Sequence, residues 1–442
     1  MADPILKGHP PGRSWVRYQV TLALCVAAAI SYVCRNTISV AESTIRSDLG
    51  LTKEQTGLLM GAFFLPYALG QIPAGLLAHN KGTRYCMPLF AMCWSVATLM
   101  FGKVATLGGL IAARAGQGLS QAGIFPCATS SIAHWFPISE RAFPSGALAS
   151  FMSLGGAIGV WIAGLMIVDE RIGWRGMYLI FSLPGFLFAA WFLVWFRDRP
   201  EEHPSMRAEE MAHIAAGRTI SSTTESESTP WWQLLTSPAT IWICGQQFCR
   251  AGAVMFFSSW FATYLQEQHK ASIPKSGFLS MLPLVGIVVG GITGGTVVDA
   301  IYRRTGSIRL SRQGVAIISS LICAVCIACA LLVHDPIPAV LLISVGSMFA
   351  GAAGPCGYTI TVDMGGRHVA PLFATMNMAG NIGALGFTVV VPYIQRAVGW
   401  DGVMMVFGAL FIVSAFCWWM LDSSGTVFGQ SISKSQGHNA AR

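Results

Sequence analysis

The chain has 442 residues, 53% of them hydrophobic and 11% charged, with a formal net charge of +8 and a mean hydropathy of +0.57. A soluble protein carries about 25% charged residues, so too few polar groups are present to coat water-soluble domains. The basic residues are scattered through short connecting segments and form no dense patch, which argues against a nucleic-acid partner.

The first residues, MADPILKGHPPGRSW, are polar and broken by proline. The apolar run after them is too long for the core of a cleavable signal peptide. A helix crossing about 30 Å of hydrocarbon needs about 20 apolar residues. On that measure the sequence predicts crossings over 17–41, 56–79, 84–103, 106–134, 143–168 and 175–196. The stretch 197–232 is charged and rich in Ser, Thr and Glu, and reads as a partly helical, partly disordered cytoplasmic linker. A second set of crossings follows over 239–266, 276–301, 312–333, 336–362, 368–395 and 401–421. The expected fold is an all-α membrane protein of twelve transmembrane helices. Its parts are an N-terminal six-helix bundle (1–196), a linker (197–238) and a C-terminal six-helix bundle with its tail (239–442).

With both ends on one side, that side gathers most of the basic residues, among them Arg17, Lys81, Arg84, Arg141, Arg197, Arg303, Arg304, Arg309, Arg312 and Arg367. The positive-inside rule then makes it the cytoplasm, so the expected location is the inner (plasma) membrane with both termini cytoplasmic. The two sets also repeat. Gly75–His79 matches Gly295–Asp299, and Gly173-Trp174-Arg175-Gly176 matches Gly399-Trp400-Asp401-Gly402. A parallel repeat of this kind places a substrate site near mid-membrane, between the bundles.

Three arginines, Arg35, Arg114 and Arg250, lie inside apolar stretches, and the sequence shows no Asp or Glu deep in any such stretch. Each fixed charge costs at least about 2.5 kcal/mol in hydrocarbon, which points to a bound anion. Arg35 is the expected anchor, because its planar fork matches a carboxylate or phosphate, and Tyr32 shares its helix face. Arg114 heads a polar stripe with Gln117, Gln121 and Phe125; Arg114 reads either as a substrate contact or as a gate, and Gln121 as a further substrate contact. Arg250, beside Gln246 and Gln247, reads either as an anion contact or as packing. Tyr67, Gln71 and Asn377 offer hydroxyl and amide groups to a polyol, and Trp260, Phe261 and Tyr264 read either as a stacking face or as core.

Neither a cofactor nor a metal is expected. Cys323, Cys326 and Cys329 have no His or carboxylate beside them and read as small apolar residues. Glycines such as Gly290 and Gly294 read as close helix contacts. No catalytic constellation is evident.

The chain resembles the major facilitator superfamily, and within it the anion:cation symporter family of sugar-acid and organic-anion transporters. The carrying residues are Tyr32-x-x-Arg35, Tyr67-x-x-x-Gln71-Ile-Pro, Arg114-x-x-Gln117-Gly118, Gly123-x-Phe125-Pro126, Trp135-x-Pro137-x-x-Glu140-Arg141, Phe248-Cys249-Arg250 and Asn377. The resemblance implies uptake of a small organic anion coupled to a proton or other cation. It also implies that Arg84, Glu140, Arg141, Asp299 and Arg303 gate the cytoplasmic side. His79 stands where the superfamily's loop motif has an acid, and Cys34 and Gln121 stand where the proton-coupled members carry acids. A sister family of organophosphate:phosphate exchangers has a comparable tyrosine and arginines, and loss of both acids fits exchange. A reading from another class is a transporter-like membrane sensor that signals through residues 197–232.

Overall fold

The computed structural model describes residues 15–137, 140, 142–216, 231–333, 335–365 and 369–427. Arg141, Arg367 and the stretch 217–230 of the expected linker lie outside them. The described chain is helical. In order, the helices are α1 (Val16–Asn36), α2 (Ile38–Leu49), α3 (Lys53–Gly61), α4 (Phe64–Lys81), α5 (Thr83–Lys103), α6 (Leu107–Gln121), α7 (Ile124–Trp135), α8 (Ala142–Ile167) and α9 (Gly173–Trp195). Then come α10 (Ala208–Ala216), α11 (Trp231–Thr236), α12 (Pro238–Ser259), α13 (Phe261–Gln268), α14 (Ile273–Thr305), α15 (Val315–Leu331), α16 (Pro336–Gly365) and α17 (Val369–Met420).

Nine described helices are long and apolar enough to cross a membrane, against the twelve expected. The difference has physical causes. The α17 helix runs over 52 residues, about 78 Å at 1.5 Å per residue. That is more than twice a hydrocarbon core, and Gly399 at φ 72° breaks it in the middle. The α6–α7 and α12–α13 pairs are interrupted and diluted by Arg114, Gln117 and Gln121, and by Gln246, Gln247 and Arg250. The apolar residues left on the outside, among them Leu69, Ile72, Leu187, Val194, Ile318 and Val325, suit lipid rather than water.

Two interruptions follow from proline. Pro66 has no N–H for the carbonyl of Ala62, and α3 gives way to α4 there. Pro126 leaves Ala122 in the same position, and α6 gives way to α7. Glycine then lets the broken helices meet. Any side chain on Gly118 would collide with the Phe63 carbonyl, which seats α6 against the α3–α4 break.

Helices of the two halves meet mainly at one end of the bundle, opposite the residues around 200–237. There Gly277 of α14 faces α8, where an added Cβ would sit 3.0 Å from the Val160 carbonyl and 3.2 Å from the Gly164 Cα. On α3, a Cβ on Gly57 would sit 2.9 Å from Pro392 and one on Gly61 2.6 Å from Val389, both on α17. We call this the distal end and the other the linker end.

Replacing Gly118 by Val drives a branched side chain into the Phe63 carbonyl. Overpacking of this kind costs about 1–3 kcal/mol or more. The expected result is a melting temperature several degrees below wild type in detergent, measured by tryptophan fluorescence.

Candidate functional site

The α1 helix stops at Asn36 and α2 starts at Ile38. An interruption leaves backbone carbonyls without their helical donors, and α6 supplies replacements. Arg114 donates from Nη2 to the Arg35 carbonyl at 2.8 Å, and from Nη1 to Gln117 Oε1 at 2.5 Å. Gln117 donates to the Cys34 carbonyl at 3.1 Å and to Thr98 Oγ1 at 3.0 Å. Gln121 donates to the Ser31 carbonyl at 3.0 Å. The polar stripe expected on this helix therefore exists, and it faces the α1 backbone. Arg114 and Gln121 are buried there as braces.

Arg35 is held differently. Its guanidinium carbon lies 4.4 Å from the Phe63 ring centroid, 5.1 Å from Tyr32, and 5.3 Å from both Phe64 and Tyr67. Phe63 also receives Arg114, at 5.0 Å, so its ring takes charge from two arginines. The only side-chain hydrogen bond of Arg35 among the described residues is a long one, 3.4 Å, to the Tyr32 hydroxyl. Aromatic faces stabilise a desolvated cation by about 2 kcal/mol or more each, without occupying the donors in its plane. The fork of Arg35 is thus positioned by rings and left available for an acceptor.

Tyr67 stacks on Phe63 at 5.4 Å, and one turn further along α4 is Gln71. Asn377 of α17 donates to Gln71 Oε1 at 3.0 Å. Arg35, Tyr32, Tyr67, Gln71 and Asn377 thereby form one polar strip from mid-bundle toward the linker end, spanning both halves. Arg250 sits on the C-terminal side. It donates to Gln247 Oε1 at 2.9 Å, and its Nε is buried without a partner. An added Cβ on Gly354 of α16 would sit 3.7 Å from its Nη1.

Of the two readings of Trp260, Phe261 and Tyr264, the structure has the core: all three are buried at the distal end, with Trp260 donating to the Thr388 carbonyl at 2.9 Å. One expectation is corrected. An acid does lie deep in the first span, because the helical run continues to Leu49 and encloses Glu42 completely. Its partners are Arg46 Nε at 2.9 Å, Thr56 Oγ1 at 2.7 Å and Thr263 Oγ1 at 2.9 Å, so it does not neutralise Arg35.

At the linker end, Glu140 accepts from Arg17 at 2.6 Å and meets His213 of α10 at 2.8 Å. The Arg84 amide donates to Asp198 at 3.0 Å. Asp299 and Arg303 are both exposed, with no ion pair among the described residues, and the C-terminal pairing is instead Arg312 with Asp363 at 3.1 Å. Burial and the nearby Arg197 hold the His203 imidazole below its usual pKa.

The family model for the major facilitator superfamily matches residues 24–311 and 247–435. The chain belongs to the major facilitator superfamily. This facilitator is 29% identical over 401 residues to a probable sulfoacetate transporter of Cupriavidus necator, covering 90% of the chain and 92% of that protein. It is 28% identical over 429 residues to a probable galactarate/D-glucarate transporter of Bacillus subtilis, covering 92% of each. A probable L-galactonate transporter of Escherichia coli is 30% identical over 391 residues, covering 86% and 83%. Family and relatives are membrane transporters, not enzymes. A solved bacterial homologue of the human lysosomal transporter Spinster superposes with a TM-score of 0.75 at 19% identity, covering 96% of this chain and 99% of the other. At that identity the likeness shows the fold.

Sequence reasoning missed Phe63 and Phe64. Both were within reach, since they lie one turn before Tyr67 and so share its face.

The two arginines have separable roles. Arg114→Ala leaves the Arg35 carbonyl and Gln117 Oε1 without a donor, each costing about 1–3 kcal/mol, so the melting temperature falls. Arg35→Ala removes four ring contacts together with the cost of burying an unpaired charge, and these oppose each other, so the melting temperature falls less than in Arg114→Ala. Differential scanning fluorimetry reads both.

Proposed function

We propose that this facilitator carries a small organic anion, a sugar acid or related carboxylate, through the inner membrane by alternating access. Arg35 is the anchor, and Tyr32, Tyr67, Gln71 and Asn377 read the substrate's hydroxyls. The observation that carries this reading is a guanidinium, 7% exposed, set among four aromatic rings with no carboxylate partner among the described residues. A bidentate carboxylate supplies the missing charge in the missing geometry. The printed names of the relatives, transporters of sulfoacetate, galactarate, glucarate and galactonate, support the same class.

The bundle is joined across its halves at the distal end, while ion pairs at the linker end stay within each half. The basic residues gather at the linker end, which makes that end cytoplasmic on the positive-inside rule. The arrangement is that of a carrier closed to the outside. Binding an anion lowers the charge cost of the site and so favours the closed, loaded form from which the other end opens.

Coupling follows from two positions. The Cys34 thiol donates to the Phe181 carbonyl at 3.3 Å, and the Gln121 amide is bound to the Ser31 carbonyl. Neither offers a carboxylate to carry a proton beside Arg35. This favours a second reading, exchange of one anion for another, including an organophosphate for phosphate.

Purified protein in liposomes decides between them. Uptake of labelled galactarate falls about 10- to 100-fold in Arg35→Ala, from the roughly 1.5–3 kcal/mol of hydrogen bonds to a charged group. Acceleration by an inward proton gradient supports symport. Uptake that ignores the gradient and needs an internal anion supports exchange. Uptake that is equal in wild type and Arg35→Ala removes the anchor from the account.

A further inference from the structure

The contact that closes the distal end has the chemistry of a substrate complex. Glu267, on α13 of the C-terminal half, reaches into the N-terminal half. Its Oε1 accepts from Arg46 Nη2 at 2.7 Å and its Oε2 from Lys53 Nζ at 2.6 Å. Trp400 of its own half donates to Oε2 at 3.0 Å. Lys53 also reaches Gln395 at 3.1 Å and lies 5.6 Å from the Trp400 ring centroid. Ser43 and Gln266 add a hydrogen bond beside them, and Arg396 stands 4.0 Å from Glu54 at the rim.

Opening the distal end requires the halves to part, which withdraws Glu267 from Arg46 and Lys53. Arg46 then keeps Glu42, on its own helix run, and Lys53 is left beside Glu54, which is itself parted from Arg396. Glu42 is fully enclosed and already takes donors from Thr56 and Arg46. Among the described residues neither Glu42 nor Glu54 bridges Arg46 and Lys53, so the opened mouth keeps two donors in the geometry that held the Glu267 carboxylate. Arg46 lies three turns beyond Arg35 in the same run of helix, roughly 16 Å at 1.5 Å per residue.

We propose that Arg46 and Lys53 form a second, outer anion site, occupied by the Glu267 carboxylate when the distal end is closed and by the substrate's carboxylate when it is open. This rests on the anion-transport reading above and adds an entry step to it. The incoming anion competes with Glu267 for the two cations, opens the mouth by displacing it, and passes on to Arg35. Because the same cations serve latch and entry, removing Glu267 and removing the cations both loosen the latch, but only the second weakens capture.

The test labels Arg171→Cys and Ala397→Cys, both exposed at the distal end on opposite halves, with the exposed Cys93 and Cys329 replaced by alanine. Distances are read by double electron–electron resonance in liposomes, with galactarate as the dicarboxylate probe. Glu267→Gln is expected to raise the long-distance population at least threefold over wild type. Arg46→Gln combined with Lys53→Gln raises it too, and in addition raises the external galactarate concentration for half-maximal uptake at least tenfold, with a smaller change in maximal rate. Unchanged distances in all variants overturn the latch. Opening in Glu267→Gln with unchanged half-saturation in the cation variant overturns the anion site. Should wild type carry no sugar acid, the transport reading falls. The outer site falls with it only if galactarate also fails to change the distances in Glu267→Gln, or changes them equally when both cations are removed.

Discussion

A guanidinium that cannot lose its proton, held in a low-dielectric interior, sets the terms for this structure. Desolvating such a charge costs several kcal/mol, and a carboxylate partner would be the simplest remedy. Arg35 has none. Its charge is spread over the faces of Phe63, Tyr32, Phe64 and Tyr67, which stabilise the cation but leave its donors in plane. The cost of burial is then offset only in part, and on the carrier reading proposed above the remainder is recovered when an anion arrives.

The surrounding architecture serves the same end. Two prolines break α3–α4 and α6–α7 beside the site, and the α1–α2 break exposes carbonyls that Arg114, Gln117 and Gln121 take up. Phe63 sits between two arginines, so the brace and the anchor share one ring. Arg114 is therefore best understood as fixing where Arg35 points. Arg250, like Arg114, has a buried Nε without a partner, and it bonds Gln247 through Nη2.

Much of this was legible in the sequence. Span positions followed from runs of about 20 apolar residues, and Arg35 stood out because arginine in hydrocarbon is costly. Tyr32 was placed by its spacing from Arg35, and Tyr67, Gln71 and Asn377 by residue type and the family resemblance; the structure joins Tyr32 to Arg35 and Asn377 to Gln71. The sequence ranked Arg35 ahead of Arg114 but left Arg114 open between substrate contact and gate, because only three-dimensional packing shows that it meets the Arg35 carbonyl and Gln117. Glu42 was overlooked because it lies just past the end of the apolar run, where the helix continues without the hydropathy that marks it. The distal ion pairs join residues more than 200 positions apart, beyond any local pattern.

The most direct measurement is the affinity for galactarate of Arg35→Lys against wild type, by calorimetric titration in detergent. Lysine keeps the charge and loses the planar fork. The account predicts at least a tenfold weaker affinity with an unchanged melting temperature. Equal affinity in the two proteins would contradict it, because a point charge would then suffice and the aromatic cage would have no orienting role.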